Sequence, residues 1–432
     1  MRTCIGVALM HAAASGQHAF TVDADFPGGN LIVQRLDGDA VYVRQDLRDT
    51  KGDWFYWCFR VRGAAGRKLR FHFTGSNVLG VRGPAASIDG GATWAWLGRR
   101  TVRDKSFSFA FPEKAADVRF AFAPPYVEAN LSAFLQRHAR NTHLKVDTLC
   151  TSGKGRTVEL LRLGKLDGQP DHRILLTSRH HACEMMASYA LEGILAAVLA
   201  SDADGQWFRR HCEFLVVPFA DKDGVEDGDQ GKNRKPRDHN RDYAGTSIHL
   251  EVAAIRKLVP AWARGRLRFA LDLHCPYIRG SHNEVVYFVG GPSQAIWGRV
   301  KQFSRILEAG RTGSLPFHAR NNLPFGKSWN TGKNYAQGKS CSRWTAEQPG
   351  IWLASSIEIP YANASGQPVT PASARALGRD LARALRLFLE EPKSGSHAEA
   401  AEPAEEWQEA ENGAPARTVR AAVRRSEHFP SR

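Results

Sequence analysis

The sequence predicts an α/β protein in which a mixed, mostly parallel sheet flanked by helices follows an antiparallel β-sandwich. Two patterns support this prediction. From about residue 23 to residue 125 the chain consists of short, aromatic-rich runs such as WFYWCFRVRG and SFSFAFP, separated by turns with Gly, Pro and Asp. Such runs are typical of strands in a sandwich of about 100 residues. After residue 126, apolar strand-like runs alternate with amphipathic helical runs, which is typical of a sheet covered on both faces.

The second half contains its predicted elements in a regular order. Strands are predicted in TVELLRLG, RILLTS, CEFLVVPFA, RLRFALDLHC, EVVYFVGG and IWLASSIEIP. Helices are predicted in EMMASYALEGILAAVLA, SIHLEVAAIRKLV and SQAIWGRVKQFSRILEAG, where apolar residues recur at helical spacing. A last helix opens with Thr370 as its N-cap and Pro371 in its first turn.

Composition divides the chain of 432 residues into four parts. Residues 1–21 form an N-terminal extension whose short apolar run resembles a weak signal peptide, although His11 interrupts it. The sandwich is predicted over residues 22–126 and the α/β domain over residues 127–392. Residues 393–432 turn acidic and then basic with few core-forming side chains, so we predict a disordered tail there.

The formal net charge of +15 is compatible with nucleic acid, a membrane surface or an acidic substrate as partner. The basic residues are scattered and no basic helix carries interleaved aromatics, so we expect no nucleic-acid partner. No run approaches the roughly 20 apolar residues of a membrane span, so we expect no membrane partner. We rank an acidic substrate above nucleic acid as the partner. The sequence carries no signal of the oligomeric state.

The seven cysteines are widely spaced, odd in number and without a CxxC pair. This usage favours a reducing compartment, so we predict a cytoplasmic protein. Export through the N-terminal extension is the alternative.

The motif SRHHACEMM places candidate metal ligands at the end of a predicted strand. His181 and Glu184 are three residues apart, where a strand end and a helix start hold two donors rigidly. His180 is a competing donor, but neighbouring residues at a strand end point to opposite sides. His274 ends another buried strand, at the sheet edge where ligands of parallel sheets collect. Two His and one Glu with an open fourth position form a catalytic zinc set, so we predict one zinc ion there.

Four motifs in order, HxxE, DHNR, DLH and IEIPY, resemble the zinc carboxypeptidases of the carboxypeptidase A superfamily. The arrangement is most similar to the cytosolic carboxypeptidase branch and covers about residues 125–391. The segments DFPGGNLIV, WFYWCFRVRG and APPY resemble the amino-terminal β-sandwich of that branch. The resemblance implies a zinc carboxypeptidase-like fold, with a peptide or the C-terminal tail of a protein as substrate.

The resemblance also implies roles for residues in and near DHNR. Asp238 would orient a ligand histidine, which fixes the tautomer of that ligand. Asn240 and Arg241 would receive the terminal carboxylate of the substrate, a task that suits the planar guanidinium group. Arg234 would polarise the scissile carbonyl, but the loop is shorter than the usual pattern, so Arg237 is a competitor.

Further roles are implied for residues near the end of the domain. Glu358 in SSIEIPY would be the general base, taking a proton from the attacking water and passing it to the leaving nitrogen. Tyr335 resembles the mobile tyrosine that closes over substrate in this family. Ser342 and Arg343 precede the matched Trp344, and such residues line the pocket for the terminal side chain. An arginine there favours an acidic end such as glutamate; the alternative is that Arg343 faces solvent.

The leading hypothesis is thus a zinc metallocarboxypeptidase, with a preference for acidic ends as its finer form. One alternative is a zinc amidohydrolase of N-acyl amino acids, although those relatives lack the preceding sandwich. A related variant would cleave cell-wall peptides, which export would support. A non-catalytic peptide-binding module is the third hypothesis, and it would be expected to lack Glu358 or a zinc ligand.

Overall fold

A computed structural model describes residues 20–390 of the protein. The predicted extension, up to residue 19, and the predicted tail over residues 393–432 lie outside the described residues. The division into a sandwich and an α/β domain near residue 126 remains a prediction, since both parts belong to one compact unit.

Ten short strands, arranged in two five-stranded sheets, form the N-terminal part. They are β1 (Thr21–Asp23), β2 (Ile32–Asp37), β3 (Ala40–Arg44), β4 (Cys58–Arg62), β5 (Lys68–Phe73), β6 (Ala85–Ser87), β7 (Ala95–Trp96), β8 (Val102–Arg103), β9 (Ser106–Ala110) and β10 (Asp117–Ala121). The first sheet has the order β1-β4-β10-β6-β7 and is antiparallel throughout. The second has the order β2-β3-β5-β9-β8, in which β3 and β5 form a parallel pair.

Aromatic side chains from both sheets fill the space between them. The ring of Phe59 in the first sheet lies 5.2 Å from that of Phe71 in the second. Phe120 and Phe107 face each other across the same space, also at 5.2 Å. All four rings are buried. Because alternate residues of a strand share one face, the aromatic positions of the runs meet in this core, as the sequence predicts.

The chain continues with strands β11 to β19 and eight α-helices. The strands are β11 (Leu144–Thr151), β12 (Thr157–Gly164), β13 (His172–Ser178), β14 (Cys212–Val217), β15 (Leu267–His274), β16 (Tyr287–Val289), β17 (Leu353–Glu358), β18 (Asn363–Ala364) and β19 (Gln367–Pro368). The helices are α1 (Glu128–Arg137), α2 (Met185–Leu199), α3 (Ala203–His211), α4 (Lys222–Asp227), α5 (Leu250–Ala263), α6 (Gln294–Gly310), α7 (Cys341–Thr345) and α8 (Pro371–Glu390). Short 3-10 helices cover Arg99–Thr101, His239–Arg241, Ser281–Glu284, Ala319–Asn321 and Gly332–Tyr335.

Seven of these strands form one mixed sheet with the order β11-β12-β14-β13-β15-β17-β16. The four central strands, β14, β13, β15 and β17, run parallel, and the outer strands pair antiparallel with their neighbours. The predicted mixed sheet is confirmed, with its parallel part at the centre. A parallel centre brings the carboxyl ends of β13, β15 and β17 to one edge.

Helices cover both faces of this sheet, which explains the nearly continuous apolar strands. In β13, Ile174 and Leu176 belong to the core beneath α2 and α8, whereas Leu175 between them belongs to the core beneath α5. The first of these cores continues into the sandwich, because the rings of Phe122 and Tyr361 lie 4.7 Å apart. The sandwich and the mixed sheet therefore share buried surface.

Within residues 20–390, no single helix is long and apolar enough to cross a membrane. Within this range, that length and composition are reached only by a bent pair of helices, Met185–Leu199 and Ala203–His211, which meet at an angle of 84°.

Helices α2 and α8 pack so closely at Gly193 that a side chain has no room there. A Cβ atom on Gly193 would lie 2.1 Å from the carbonyl oxygen of Arg375. We predict that Gly193→Ala lowers the free energy of unfolding by about 2–3 kcal/mol, because one helix must shift. Denaturant unfolding measures this change. Gly298→Ala in α6 is the matched control, since a Cβ there meets nothing within 4 Å, and it should leave stability unchanged or raised. Equal effects of the two variants would contradict the close packing.

Candidate metal centre and active site

The predicted zinc ligands and the predicted base meet where parallel strands end. His274 is the last residue of β15 and Glu358 is the last residue of β17. The two residues are direct register partners, so their side chains leave the same face of the sheet side by side. β13 ends beside them at Ser178, and the chain then enters the loop that carries His181 and Glu184.

The loop between β13 and α2 is held by the buried side chain of Arg179. Its backbone takes a left-handed turn with φ of 62°, which turns the chain away from the sheet. Its guanidinium group donates to the carbonyl oxygen of Tyr126 at 2.7 Å and to the Ser188 hydroxyl at 3.1 Å. It also donates to the carbonyl oxygen of Ala182, within the loop itself. These bonds fix the loop next to the sheet edge.

His181, Glu184 and His274 form a compact, buried group. The carboxylate of Glu184 lies between the two imidazoles, 2.9 Å from Nδ1 of His181 and 2.6 Å from Nδ1 of His274. One candidate ligand atom from each residue lies within 4.8 Å of the others. Glu184 is wholly buried, and it directly precedes α2. Two imidazoles and one carboxylate at this spacing fit the donor set of a catalytic zinc ion.

Lys232 also lies in this place, although no sequence motif marks it as a site residue. Its ammonium group is 3.0 Å from Oε1 of Glu184 and 5.2 Å from the ring of Trp54. Burial raises the pKa of Glu184, but Lys232 and the two histidines outweigh burial and hold that pKa well below its usual value. Burial lowers the pKa of Lys232, but Glu184 and then Glu358 outweigh it and leave it raised. No motif spacing distinguishes Lys232 from the other cations of its polar loop.

The two imidazoles differ in their electrostatic surroundings. Burial, the largest effect, lowers the pKa of His181 to about 4. Burial also lowers the pKa of His274, but the carboxylates of Asp272 and Glu184 outweigh it, and that pKa stands well above its ordinary value. Asp272 is the partner on the far side of the His274 ring, with Oδ2 2.6 Å from Nε2. With the Nε2 proton donated to Asp272, Nδ1 is the nitrogen that would bind a metal, in place of its contact with Glu184.

Asp272 also connects His274 to a buried polar network behind the site. Its Oδ1 lies 2.8 Å from Nδ1 of His180 and accepts the Thr177 hydroxyl at 2.7 Å. Nε2 of His180 lies 2.7 Å from the hydroxyl of Tyr243. His180, Asp272 and Cys341 are themselves close enough to hold a metal ion. However, none of these three residues lines the cavity at His181 and His274, so we assign His180 a supporting role behind the site.

Asp238 lies near the other imidazole. Its Oδ1 is 3.9 Å from Nε2 of His181 and has no hydrogen-bond partner among the described residues. The predicted role in orienting a ligand histidine remains a prediction. The structure places Asp238 near His181. It also shows that the carboxylate beside His274 is that of Asp272, the first residue of the DLH motif, which no sequence pattern marks as a partner.

Glu358 faces the same space and has a buried carboxylate atom, Oε2, without a hydrogen-bond partner among residues 20–390. Burial raises its pKa to about 7, against the opposing effect of Lys232 and His274. A carboxylate with a pKa near neutrality can both accept and return a proton. The role of Glu358 as general base remains a prediction.

A cavity of about 340 Å³ opens over these groups. Its lining includes His181, His274, Glu358, Asn240 and Arg241. The amide of Asn240 accepts the backbone N–H of Cys341 at 2.9 Å through Oδ1, and its Nδ2 is 3.1 Å from Nε2 of His274. The Arg241 guanidinium donates to two carbonyl oxygens, those of Asn240 and Asn334.

The two arginines considered for the carbonyl are placed elsewhere. Arg234 is surrounded by carboxylates, with Nη2 2.8 Å from Asp221 and 3.0 Å from Asp229. Nη1 of Arg237 lies 3.2 Å from Asp242. Neither arginine lines the cavity over the candidate ligands. The sequence could place several cations in this loop but not decide which one faces inward.

Tyr335 and Val289 line both this cavity and a second one of about 470 Å³. Its ring lies between two guanidinium groups, 4.2 Å from that of Arg343 and 5.0 Å from that of Arg241. Its hydroxyl donates to Asn330 at 3.1 Å. Arg343 and Ser342 line the second cavity. The mobility of Tyr335 and the specificity role of Arg343 remain predictions.

A family model described as zinc carboxypeptidase matches residues 128–251. This range contains His181, Glu184 and the DHNR segment. The structure adds His274 and Glu358, which lie beyond the match, to the same cavity. Residues 128–251 therefore belong to a zinc carboxypeptidase domain.

Relatives of this zinc carboxypeptidase domain include two cytosolic carboxypeptidases. Cytosolic carboxypeptidase 6 of Caenorhabditis elegans is 25% identical over 296 residues, which are 60% of this chain and 63% of that protein. Cytosolic carboxypeptidase 2 of Macaca fascicularis is 25% identical over 234 residues, which are 50% of this chain and 27% of that protein. The chain thus spans less than two thirds of either relative.

A crystal structure of a metallo-carboxypeptidase from Burkholderia cenocepacia has the same fold. The TM-score is 0.71 at 20% identity, and the match covers 86% of this chain and 99% of that one. So broad a match includes the N-terminal sheets as well as the zinc carboxypeptidase domain.

Asp272 gives the zinc carboxypeptidase domain a test of its metal site that needs no substrate. We predict that Asp272→Asn weakens zinc affinity roughly 10–100-fold, because His274 loses the carboxylate that fixes its tautomer. Competition with a chromophoric chelator measures the affinity, and circular dichroism confirms that the variant is folded. Asp147→Asn on β11 is the control and should bind zinc as the wild type does. Unchanged zinc affinity in Asp272→Asn would contradict this placement of the ligand.

Proposed function

We propose that this protein is a zinc-dependent metallocarboxypeptidase that removes C-terminal residues from peptides or protein tails. The observation that carries the proposal is the meeting of three kinds of group at one cavity: the ligand candidates His181 and His274, both in contact with Glu184, the base candidate Glu358, and the carboxylate-binding candidate Arg241. Each kind has its own task in exopeptidase chemistry, and few other reactions require all three.

Asn240 and Arg241 would hold the terminal carboxylate of the substrate. Arg241 has donors left after its two bonds to backbone carbonyls, and its stacking contact with Tyr335 limits the rotation of the guanidinium. A planar guanidinium can bind a carboxylate through two parallel hydrogen bonds. Such an anchor places the last peptide bond, rather than an internal one, over the candidate ligands.

Glu358 would manage the proton of the reaction. A single zinc ion held by His181, Glu184 and His274 would supply Lewis-acid chemistry, polarising the attacking water and the peptide carbonyl. Glu358 would accept the proton of that water and return it to the leaving nitrogen. A nearby cation favours the ionised carboxylate, which counteracts the rise in the pKa of Glu358 that burial causes.

An acidic C-terminal residue is the finer part of the proposal. The second cavity, which shares Tyr335 with the first, has two cations in its lining, Lys339 and Arg343. Lys339 is already paired with Glu347 at 2.7 Å, whereas no carboxylate within residues 20–390 pairs with Arg343. The guanidinium of Arg343 instead lies over the rings of Phe325 and Tyr335. It is therefore available to a carboxylate side chain of the substrate.

The location and the substrates of the whole protein belong to the proposal as well. The relatives named cytosolic carboxypeptidases support a cytoplasmic location. Hydrolysis of N-acyl amino acids or cell-wall peptides, and binding without catalysis, are the competing functions that a peptide assay separates.

The central expectation concerns peptides that differ only in the last residue. We predict stepwise loss of C-terminal residues by the zinc-loaded protein, abolished by a chelator and reduced about 10²–10⁴-fold in Glu358→Gln. Mass spectrometry follows the products. Glu308→Gln on α6 is the matched control and should retain full activity. Internal cleavage, or equal trimming by Glu358→Gln, would contradict the proposal.

Arg343 gives a separate prediction for specificity. If its guanidinium binds an acidic side chain, Arg343→Met should lower kcat/KM for a Glu-ended peptide by about 10–100-fold, since a hydrogen bond to a charged group contributes about 1.5–3 kcal/mol. The Leu-ended peptide should change less than about threefold. Arg320→Met at an exposed site is the control. Equal losses for both peptides, or none, would contradict the acidic preference while leaving the carboxypeptidase activity in place.

A further inference from the structure

The polar segment 226–235, called the loop 226–235 below, begins in the last turn of α4. It contacts both the sandwich and the segment that carries the candidate ligands, and the sandwich holds it through backbone groups. The side chain of Gln230 makes two hydrogen bonds to the backbone of Tyr56, accepting its N–H at 2.7 Å and donating to its carbonyl at 2.8 Å. Nδ2 of Asn30 donates to the carbonyl oxygen of Gly228 at 2.7 Å. The loop is thus attached to the strands that precede the catalytic domain.

Ion pairs attach the same loop a second time. Asp229 pairs with Arg48 of the sandwich and with Arg234 at 3.0 Å. Nη1 of Arg234 also reaches Asp49 of the sandwich at 3.3 Å. Arg234, the arginine expected to polarise the scissile carbonyl, therefore connects the loop to the sandwich.

On its other side the loop touches the segment that carries the candidate ligands. The backbone N–H of Cys183 donates to the carbonyl oxygen of Gln230 at 3.1 Å. Gly231 has φ of 76°, and a Cβ atom there would lie 2.2 Å from the backbone nitrogen of Ala182. Only glycine allows this approach. Lys232 follows directly, so its backbone position is fixed relative to both His181 and Glu184.

Among Lys232, Arg234 and Arg237, which lie in or directly after this loop, Lys232 lines the cavity over the candidate ligands, while the two arginines are paired with carboxylates and do not line it. The ammonium of Lys232 points to Glu184 at 3.0 Å and is flanked by the Trp54 ring. A metal cation on Glu184 would take over the neutralisation of that carboxylate. The ammonium would then be repelled from Glu184 but would remain on a stem anchored at the cavity.

We propose that Lys232, positioned by the sandwich through the loop 226–235, is the cation that stabilises the scissile carbonyl oxygen as it becomes negative. This inference rests on the proposed carboxypeptidase function and deepens it. No bond to Lys232 forms or breaks, since its ammonium acts as a hydrogen-bond donor and a positive charge. The inference also implies that the sandwich contributes to catalysis. The positions of the loop and of its lysine depend on contacts with Tyr56, Asn30 and Arg48.

The test compares Lys232→Met, Lys232→Arg and the control Arg237→Met in the zinc-loaded full chain. Loss of one donor to a developing oxyanion costs about 10²–10³-fold in kcat, so we expect a fall of that size in Lys232→Met, with KM within threefold. Lys232→Arg should recover at least a tenfold part of the loss, and Arg237→Met should stay within threefold. Zinc content, measured by atomic absorption, should be unchanged in all three variants.

A binding measurement separates this role from a structural one. A phosphonate peptide carries a tetrahedral anion where the substrate has a neutral carbonyl, and a free C-terminal amino acid does not. Calorimetry should show phosphonate binding weakened at least 30-fold in Lys232→Met, with amino-acid binding within threefold. Gln230→Met should show the same selective loss, with faster hydrogen exchange over residues 226–235.

Three results would overturn the inference. They are unchanged kcat in Lys232→Met, equal weakening of both ligands, and loss of zinc from that variant. A wild-type protein that trims no peptide would overturn the proposed function together with the inference. A wild-type protein that trims peptides, with Lys232→Met equally active, would overturn the inference alone.

Discussion

The site depends on one buried carboxylate, that of Glu184. Moving an isolated charge out of water is very costly, so a buried carboxylate requires partners that carry or accept positive charge. Glu184 has three such partners, namely His181, His274 and Lys232, all within 3.0 Å. The loop after β13, the end of β15 and the loop 226–235 must therefore meet at this residue. A divalent cation is the partner that this arrangement fits best.

The mixed sheet and the sandwich position the groups around Glu184 in different ways. The parallel centre of the mixed sheet brings His274 and Glu358 together as register partners on β15 and β17. The sandwich acts through the loop 226–235, holding it at Gln230 and Asp229. A rigid sheet edge thus fixes the candidate ligands and base, while an adjacent layer fixes a neighbouring cation. Sites supported in this way keep their geometry without relying on free loops.

Much of the site could be predicted from the sequence, because strand ends are visible in it. His274 and Glu358 each close an apolar run, and such ends converge in a parallel sheet, so their proximity follows from pattern alone. His181 was preferred to His180 because neighbouring residues face opposite sides, and in the structure His180 points to Asp272 and Tyr243. The arrangement of the fold could also be predicted, because the sequence contains aromatic-rich strand runs followed by apolar residues at helical spacing.

The polar loops could not be predicted in the same way. Lys232, Arg234 and Arg237 lie within six residues of one another, and nothing in their spacing tells which one faces the cavity. The answer depends on carboxylates that are distant in sequence, such as Asp49 and Asp221 for Arg234. Asp272 was missed for a similar reason, because its partner atoms become apparent only once β13 and β15 are aligned.

Anomalous diffraction at the zinc edge, from crystals of the zinc-loaded protein, tests the account most directly. The account predicts one strong peak about 2.0–2.2 Å from a nitrogen of His181, a nitrogen of His274 and an oxygen of Glu184. It also predicts that the ammonium of Lys232 has left Glu184 and faces the cavity. A peak at His180, Asp272 and Cys341 instead, or no peak with Lys232 still paired to Glu184, would contradict it.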